Sequence, residues 1–275
     1  MKKTFSFIVT FLLFNILFGQ KAEKLWETEP IFEVPESVLL HDSIIYVSNV
    51  NGSPLDKNGK GYISKISYSG SIISQHWING LNAPKGMAIF NQKLFVSDID
   101  RIAVVDLTLD SIIGFIPIPE SKFLNDVTVS EHGIVTVSDM MDNAIYVIEN
   151  DSVNLLLRDE KLTHVNGLFW EKDTLFVGTS DNIYSINTIE RPIILKLFIE
   201  NTGPIDGLER FDDVRFIISD WSGKIQIVSP DMPSFEILNF TDDTYNAADI
   251  DFNAASGILF IPTFFGNSVA AYRIE

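Results

Sequence analysis

The sequence contains no cysteine among its 275 residues and only four histidines. Without thiols there is no disulfide framework, and no thiolate is present to bind zinc or iron. Basic residues are also scarce, since 20 lysines and arginines stand against 37 aspartates and glutamates, which gives a net charge of −17. This charge would repel phosphates and argues against binding to nucleic acid. The fold must therefore be stabilised by apolar burial, alone or together with a bound cation.

Amphipathic helices are also lacking, and the one long apolar run extends from Phe5 to Phe18. It follows two lysines and ends at Gly19, which is the pattern of a secretory signal peptide. The run is shorter than the about 20 apolar residues that a membrane span requires. We therefore expect residues 1–20 to be a cleaved signal peptide and residues 21–275 to form a single domain. The protein is expected to be secreted or periplasmic, with no membrane span.

What the sequence does have is an internal repeat. A short motif returns six times, at intervals of 49, 40, 41, 40 and 42 residues. The copies are PESVL (35–39), PKGMA (84–88), LNDVT (124–128), VNGLF (165–169), IDGLE (205–209) and AADID (247–251). Further runs rich in β-branched and aromatic residues follow the copies, and turn residues separate these runs. Four short strands in about 40 residues, repeated in series, are typical of a β-propeller blade.

The repeat predicts an all-β fold, a six-bladed β-propeller with four-stranded antiparallel blades. The last copy has only three strands, and we expect an N-terminal strand within residues 23–29 to complete it and close the ring of blades. The long first interval contains NGSPLDKNGKG at residues 51–61, which we interpret as an inserted loop. A closed propeller needs no partner subunit, so we expect a monomer.

The second residue of each copy is expected at one mouth of the central channel, because the first strand of each propeller blade lines the channel. We call these six positions the ring. They are Glu36, Lys85, Asn125, Asn166, Asp206 and Ala248. The glycines that follow three of them are expected to permit tight turns. These glycines are Gly86, Gly167 and Gly207.

Four ring residues carry side-chain oxygens, which are the ligands that Ca²⁺ prefers. Two of the four are carboxylates, and in a narrow channel they would repel each other unless a cation lay between them. The ring therefore predicts a site for one divalent cation, expected to be Ca²⁺. The predicted metal ligands are Glu36, Asn125, Asn166 and Asp206.

The motifs VPESV, LNDVTVSEHG, HVNGLFW and PIDGLERF occur in this order at blade spacing. They resemble the regucalcin–gluconolactonase family and, more distantly, the diisopropyl fluorophosphatase and paraoxonase propellers. The resemblance covers the chain after the first 20 residues. It implies one divalent ion, usually calcium, held by Glu36, Asn166 and Asp206, with Asn125 binding metal or substrate. It also implies hydrolysis of lactones, esters or organophosphates.

The cation in such a site would polarise a carbonyl or phosphoryl oxygen. Asp206 is the catalytic candidate, as general base or as nucleophile. The candidates for substrate binding are Asn125, Lys85, Phe123 and His164. We therefore predict a secreted, metal-dependent hydrolase of small-molecule lactones or related esters. The alternative is a non-catalytic propeller that binds a ligand or a protein, in which the ring only stabilises the channel and His164 is structural.

Three features depart from the family pattern. Lys85 occupies a ring position, where its amine either points away, binds an anionic group of the substrate, or replaces the metal through salt bridges with Glu36 and Asp206. Phe123 stands where related gluconolactonases carry an arginine for sugar recognition, which favours a more apolar substrate. Ala248 offers no histidine for catalysis.

Other conspicuous side chains are expected to be structural. For Trp221 and the pair Phe264 and Phe265 we expect packing in the core, with the wall of a pocket as the alternative. Three aspartates near the ends of second strands are expected to accept hydrogen bonds in turns. They are Asp98, Asp139 and Asp220.

Overall fold

The computed structural model describes residues 21–150, 152–241 and 245–275, so the predicted signal peptide lies outside the described residues. In this part of the chain the regular elements are β-strands, apart from one 3₁₀ turn at Phe264–Gly266. The strands form six four-stranded sheets. No helix in these ranges has the length and apolar character needed to cross a membrane.

Strand β1 (Ala22–Glu27) precedes the first blade in the chain. Blade 1 contains β2 (Pro35–His41), β3 (Ile44–Asn49), β4 (Gly61–Ser67) and β5 (Ile72–Leu81). Blade 2 contains β6 (Pro84–Phe90), β7 (Lys93–Asp98), β8 (Arg101–Asp106) and β9 (Ser111–Pro117). Blade 3 contains β10 (Leu124–Val129), β11 (Val135–Asp139), β12 (Ala144–Glu149) and β13 (Ser152–Arg158).

Blade 4 contains β14 (Leu168–Glu171), β15 (Thr174–Gly178), β16 (Asn182–Asn187) and β17 (Leu195–Glu200). Blade 5 contains β18 (Leu208–Arg210), β19 (Phe216–Asp220), β20 (Lys224–Ser229) and β21 (Met232–Asn239). Blade 6 contains β22 (Asp251–Asn253), β23 (Ile258–Pro262) and β24 (Val269–Ile274), joined by β1.

The ring of blades is closed by the N-terminal strand. In blades 1 to 5 four consecutive strands pair in sequence order, whereas the order in blade 6 is β1-β24-β23-β22. Strand β1 pairs antiparallel with β24, from Ala22 opposite Ile274 to Glu27 opposite Ala270. The predicted all-β, six-bladed propeller and its closure by an N-terminal strand are confirmed.

The apolar core lies between neighbouring blades. One cluster combines Ala88 and Ile102 of blade 2 with Val137 and Tyr146 of blade 3, and each adjoining pair of blades is packed in a similar way. Face-to-face burial of this kind is the main favourable free-energy term available to a chain without disulfides.

The glycines after the ring positions allow neighbouring inner strands to approach closely. The expectation that they permit tight turns was wrong. Gly86, Gly167 and Gly207 do not have left-handed backbone angles. A Cβ atom on Gly207 would lie only 2.5 Å from the backbone nitrogen of Ile250 in the next blade. The inner strands converge so closely at the channel that a side chain at these positions would collide with the neighbouring blade.

Candidate functional site at the channel mouth

The ring residues of blades 1 to 5 line one pocket, although they are distant in sequence. Glu36, Lys85, Asn125, Asn166 and Asp206 all belong to its wall. Their exposed fractions are only 1–6 %. The sixth ring residue is fully buried and does not line the pocket: this is Ala248. The repeat thus places five polar side chains at a common depth of the channel.

Two oxygens in this pocket have no hydrogen-bond partner among the described residues. The side-chain nitrogen Nδ2 of Asn166 donates to Oδ1 of Asp206 at 2.8 Å. The remaining Asn166 oxygen, Oδ1, and Oε2 of Glu36 are buried and accept no hydrogen bond. A buried oxygen without a partner costs about 1–3 kcal/mol, so such atoms are rare and call for an explanation. Oxygens that point at no protein donor are what a cation-binding site presents.

The electrostatics of the two carboxylates favour a positive partner. Burial raises the pKa of Glu36 well above its usual range, and the neighbouring Asp206 carboxylate adds to this, while the Lys85 ammonium opposes it. Burial also raises the pKa of Asp206 to about 7, against the hydrogen bond from Asn166. Two buried anions that repel each other are costly unless they are protonated or share a cation.

The chemistry of the possible donors is uniform. Two carboxylates and two amides offer hard oxygens, the kind of ligand that suits Ca²⁺ better than zinc. In the described ranges no three His, Cys, Asp or Glu side chains are grouped as a metal cluster. The two amides and water would therefore have to complete the coordination shell of any ion in the ring.

Asn125 is turned so that its amide oxygen is available. Its Nδ2 lies 3.6 Å from Sδ of Met140, a contact within the same blade. The nitrogen is therefore directed to the thioether, and the oxygen is left for a ligand. This arrangement is compatible with either predicted role of Asn125, metal ligand or contact to substrate.

The amine of Lys85 is bonded to main-chain carbonyl oxygens. It donates to the carbonyl oxygens of Ala83 at 2.9 Å and Pro54 at 3.1 Å, whereas Oε2 of Glu36 has no hydrogen-bond partner among the described residues. Burial lowers the pKa of Lys85 to about 8, against the attraction of Glu36. With these bonds the amine does not form the salt bridges to Glu36 and Asp206 by which it would replace the metal. Its predicted contact with an anionic group of the substrate stays a prediction, since Lys85 lines the pocket.

The same lysine holds the inserted loop at the mouth. Pro54 belongs to the loop within residues 51–61, and Gly52 and Pro54 both line the pocket. A second contact fixes the loop from outside, since Nζ of Lys57 lies 2.5 Å from Oδ2 of Asp100 in blade 2. The insertion that the sequence marked as a loop is therefore part of the pocket wall.

Phe123 and His164, two of the predicted candidates for substrate binding, both line the pocket. Phe123 is buried, and its ring centroid lies 4.5 Å from the Lys85 amine. His164 is exposed at the rim and has a left-handed backbone (φ 50°), and its N–H donates to Oδ1 of Asn143 at 3.3 Å.

The serines behind the ring were not identified from the sequence. Oγ of Ser219 accepts the Gly207 N–H at 2.7 Å and donates to the Ala248 carbonyl at 2.7 Å, which links blades 5 and 6 behind Asp206. Equivalent serines occupy the second strands of three other blades and bond to the main chain of inner strands. The set is Ser48, Ser97, Ser138 and Ser219. Their repeated position in the second strands was the signal that could have revealed them.

Asp139 and Asp220 accept N–H groups within turns, as the sequence predicted. Asp98 and Asp139 also bind the main chain that enters the inner strand of the same blade, which the sequence did not predict. Oδ1 of Asp98 accepts the Ala83 N–H at 2.9 Å, and Oδ1 of Asp139 accepts the Phe123 N–H at 3.0 Å. Each carboxylate thus binds the main chain two residues before a ring position. Asp220 accepts a turn N–H from Ser222 at 2.8 Å.

The expected core positions of Trp221 and Phe265 are wrong. Trp221 is 45 % exposed and Phe265 is 58 % exposed, and both line the pocket together with the buried Phe264. The pocket has a volume of about 440 Å³, which is within the usual range for a small-molecule site.

No protein-family model matches the sequence, and no curated protein matches it. Solved structures do match. A catalytically inactive virginiamycin B lyase from Staphylococcus aureus, with quinupristin, has a TM-score of 0.64 at 14 % identity, over 92 % of this chain and 99 % of that one. A gluconolactonase from Xanthomonas campestris has a TM-score of 0.68 at 14 % identity, over 90 % and 88 %.

A structural genomics protein of unknown function from Bacteroides thetaiotaomicron has a TM-score of 0.67 at 11 % identity, over 94 % of this chain and 76 % of that one. These likenesses show the fold. Membership of the regucalcin–gluconolactonase family stays a prediction that rests on the motifs.

Proposed function

We propose that the protein is a metal-dependent hydrolase of lactones or related esters, with one Ca²⁺ at the ring. Glu36, Asn166 and Asp206 would hold the ion, and Asn125 would be a fourth ligand or a contact to the substrate. The observation that carries the proposal is the pair of buried, unpartnered oxygens on Glu36 and Asn166 beside the Asp206 carboxylate. They converge in a pocket of suitable size for a small molecule.

A bound calcium ion would supply a Lewis acid for the carbonyl oxygen of the substrate. The protein's own contribution centres on Asp206. Its Oδ1 is fixed by the Asn166 amide, which holds the carboxylate in one orientation and leaves Oδ2 for reaction. As a general base, this oxygen would take a proton from the water that attacks the acyl carbon, and the proton would pass to the departing alkoxide. As a nucleophile, it would itself attack the acyl carbon, the ester C–O bond would break, the alkoxide would take a proton from water, and a second water would hydrolyse the acyl-enzyme. The apolar walls would keep other water out of the pocket.

Two further observations support an extracytoplasmic enzyme. Two structural neighbours are enzymes by name, a gluconolactonase and a virginiamycin B lyase. The first 20 residues have the pattern of a signal peptide, from which we propose secretion or export to the periplasm.

The experiment is thermal unfolding after treatment with EDTA and then with added Ca²⁺, with Mg²⁺ as the comparison. An ion that binds only the folded form adds about 2.7 kcal/mol at 100 times its dissociation constant. For a chain of this size we expect Tm to rise by roughly 5–10 °C. Hydrolysis of phenyl acetate and of γ-butyrolactone should depend on the same ion. No shift in Tm together with no hydrolysis would favour the non-catalytic propeller.

A further inference from the structure

We infer that Trp221, Phe264 and Phe265 form a binding wall for an aromatic or alkyl substituent of the substrate. The preferred substrates are then lactones or esters that carry such a substituent, in place of polyhydroxylated sugar lactones. The inference rests on the proposed hydrolase function, and its test below separates the two.

The three rings form a compact cluster at the rim. The ring centroids of Trp221 and Phe264 are 5.6 Å apart, those of Trp221 and Phe265 are 6.0 Å apart, and those of the two phenylalanines are 4.8 Å apart. All three pairs meet edge to face, so the cluster presents both faces and edges to the pocket. Aromatic rings favour this offset and perpendicular contact with a further ring.

The wall is held in place before any ligand arrives. Oγ1 of Thr263 accepts the Ser268 N–H at 3.0 Å, which closes the turn that carries both phenylalanines. Asn267 ties the turn to the segment between β1 and β2, since its Oδ1 accepts the Val34 N–H at 3.0 Å and its carbonyl accepts the Phe32 N–H at 3.0 Å. Exposed aromatic side chains on a fixed turn lose little conformational entropy on binding, which favours affinity.

Most of the remaining lining is apolar as well. Besides the ring residues, His164 and Ser180, the pocket is lined by further apolar side chains: Val50, Pro54, Phe123, Met140, Pro204 and Ile205. Two of the three N–H donors of the Lys85 amine are already bound to carbonyls. Hydroxyl groups of a sugar lactone that faced Phe264 and Phe265 would lose water and gain no hydrogen bond from these rings, which costs binding free energy.

The test compares kcat/KM for γ-phenyl-γ-butyrolactone, unsubstituted γ-butyrolactone and glucono-δ-lactone in the presence of Ca²⁺. We expect the phenyl lactone to be preferred over the unsubstituted one by about 10–100-fold, the range that an apolar pocket provides. Trp221→Ala should reduce this preference, measured as the ratio of the two kcat/KM values, by at least about 5-fold. The matched control is Phe235→Ala, which removes a ring of similar exposure on the outer strand β21, away from the pocket.

Equal turnover of the three lactones, a preference for glucono-δ-lactone, or no effect of Trp221→Ala would overturn the inference. If no lactone is hydrolysed, the hydrolase proposal fails. Calorimetric titration with the phenyl lactone then tests whether the three aromatic residues bind the phenyl group. Binding that Trp221→Ala weakens and Phe235→Ala does not would support the wall. Absence of binding, or equal binding by all three proteins, would contradict it.

Discussion

Two groups of acids lie along the inner strands, and they differ in their hydrogen bonding. One belongs to the ring pocket, where oxygens of Glu36 and Asn166 have no partner. The other lines a separate cavity further along the inner strands. We call it the inner acidic group, and its members are Asp126, Glu209, Asp249 and Asp251.

The aspartates of the inner acidic group connect neighbouring blades. Oδ2 of Asp126 accepts the N–H of Leu168 from blade 4 at 2.6 Å. Where blade 6 meets blade 1, Oδ2 of Asp249 accepts a hydrogen bond from the Ser37 hydroxyl at 2.6 Å. Oδ2 of Asp251 accepts the Leu40 N–H at 2.5 Å and links the same two blades. These carboxylates stabilise the contacts between blades.

The pKa shifts alone would not distinguish the carboxylates of the ring pocket from those of the inner acidic group. Burial raises the pKa of Asp126 to about 7 and that of Asp251 to about 6, much as it raises that of Asp206. Perturbed carboxylates occur in structural networks as well as in active sites. The absence of a partner for oxygens beside Asp206 is therefore the better indicator of a ligand site.

The largest expected difference between the two groups is in turnover. Asp206→Asn should lower kcat/KM for an aryl ester or lactone by about 10³-fold or more, which corresponds to about 4 kcal/mol, because an amide is neither a base nor a nucleophile. Asp251→Asn, at the inner acidic group, should leave kcat/KM within about 2-fold. Steady-state kinetics with circular dichroism as a check of folding provide the measurement. Equal losses in both variants would remove the distinction between the two groups.

A second prediction concerns the close approach of neighbouring inner strands, which carry both the ring pocket and the inner acidic group. Gly207→Ala places a Cβ 2.5 Å from a backbone nitrogen of the next blade, and the main chain there has little room to move. We expect it to lower the free energy of unfolding by about 3 kcal/mol, as overpacking does. Gly114→Ala on the outer strand β9 is the control, because its Cβ would meet nothing within 4 Å. Urea unfolding measures both, and similar stabilities would contradict the close approach.

The third prediction concerns calcium. Glu36→Gln removes one of the two ring carboxylates, and the stabilisation by Ca²⁺, about 2.7 kcal/mol at 100 times the dissociation constant in the parent protein, should largely disappear. Asp251→Asn should keep the full shift in Tm. An unchanged calcium response in Glu36→Gln would show that the ion binds elsewhere, and loss of the response in Asp251→Asn would place it at the inner acidic group.

The fold was predictable from the sequence because a blade repeats. The spacing of six motifs fixes the number of blades, and the missing fourth strand of the last copy identifies the N-terminal strand as its partner. The positions of the five polar ring residues follow from the same symmetry. The number of blades, the closing strand and the ring positions all follow from the order of strands, which a sequence repeat reveals.

Contacts outside that symmetry were not predictable. The sequence could not show that the Lys85 amine turns to a carbonyl in an inserted loop, because loop conformation follows no repeat. Trp221 and Phe265 are large apolar residues of the kind that usually pack in a core. Two separate turns bring them to the pocket, the turn after β19 for Trp221 and the turn between β23 and β24 for Phe265. The role of Gly207 depends on the distance between inner strands, which the motif does not contain.

The smallest expected effect distinguishes the inner acidic group by its pH dependence. Burial raises the pKa of Asp251 from 3.8 to about 6, so the folded state binds more protons than the unfolded state between these values. Stability should therefore fall as the pH rises through that window, and the cost of burying the charge is fully present above pH 6. Asp251→Asn keeps an oxygen that accepts the Leu40 N–H and removes the charge.

At pH 7.5 we expect Asp251→Asn to raise the free energy of unfolding by up to about 2 kcal/mol, and at pH 4 by almost nothing. Asp106→Asn is a control of opposite sign. The Thr108 hydroxyl and backbone lower the pKa of that exposed carboxylate, so its contribution is present at neutral pH and lost as the pH falls. Denaturant unfolding at several pH values measures both variants. A gain for Asp251→Asn that did not change between pH 4 and pH 7.5 would mean that relief of strain, and not of a buried charge, stabilises the variant.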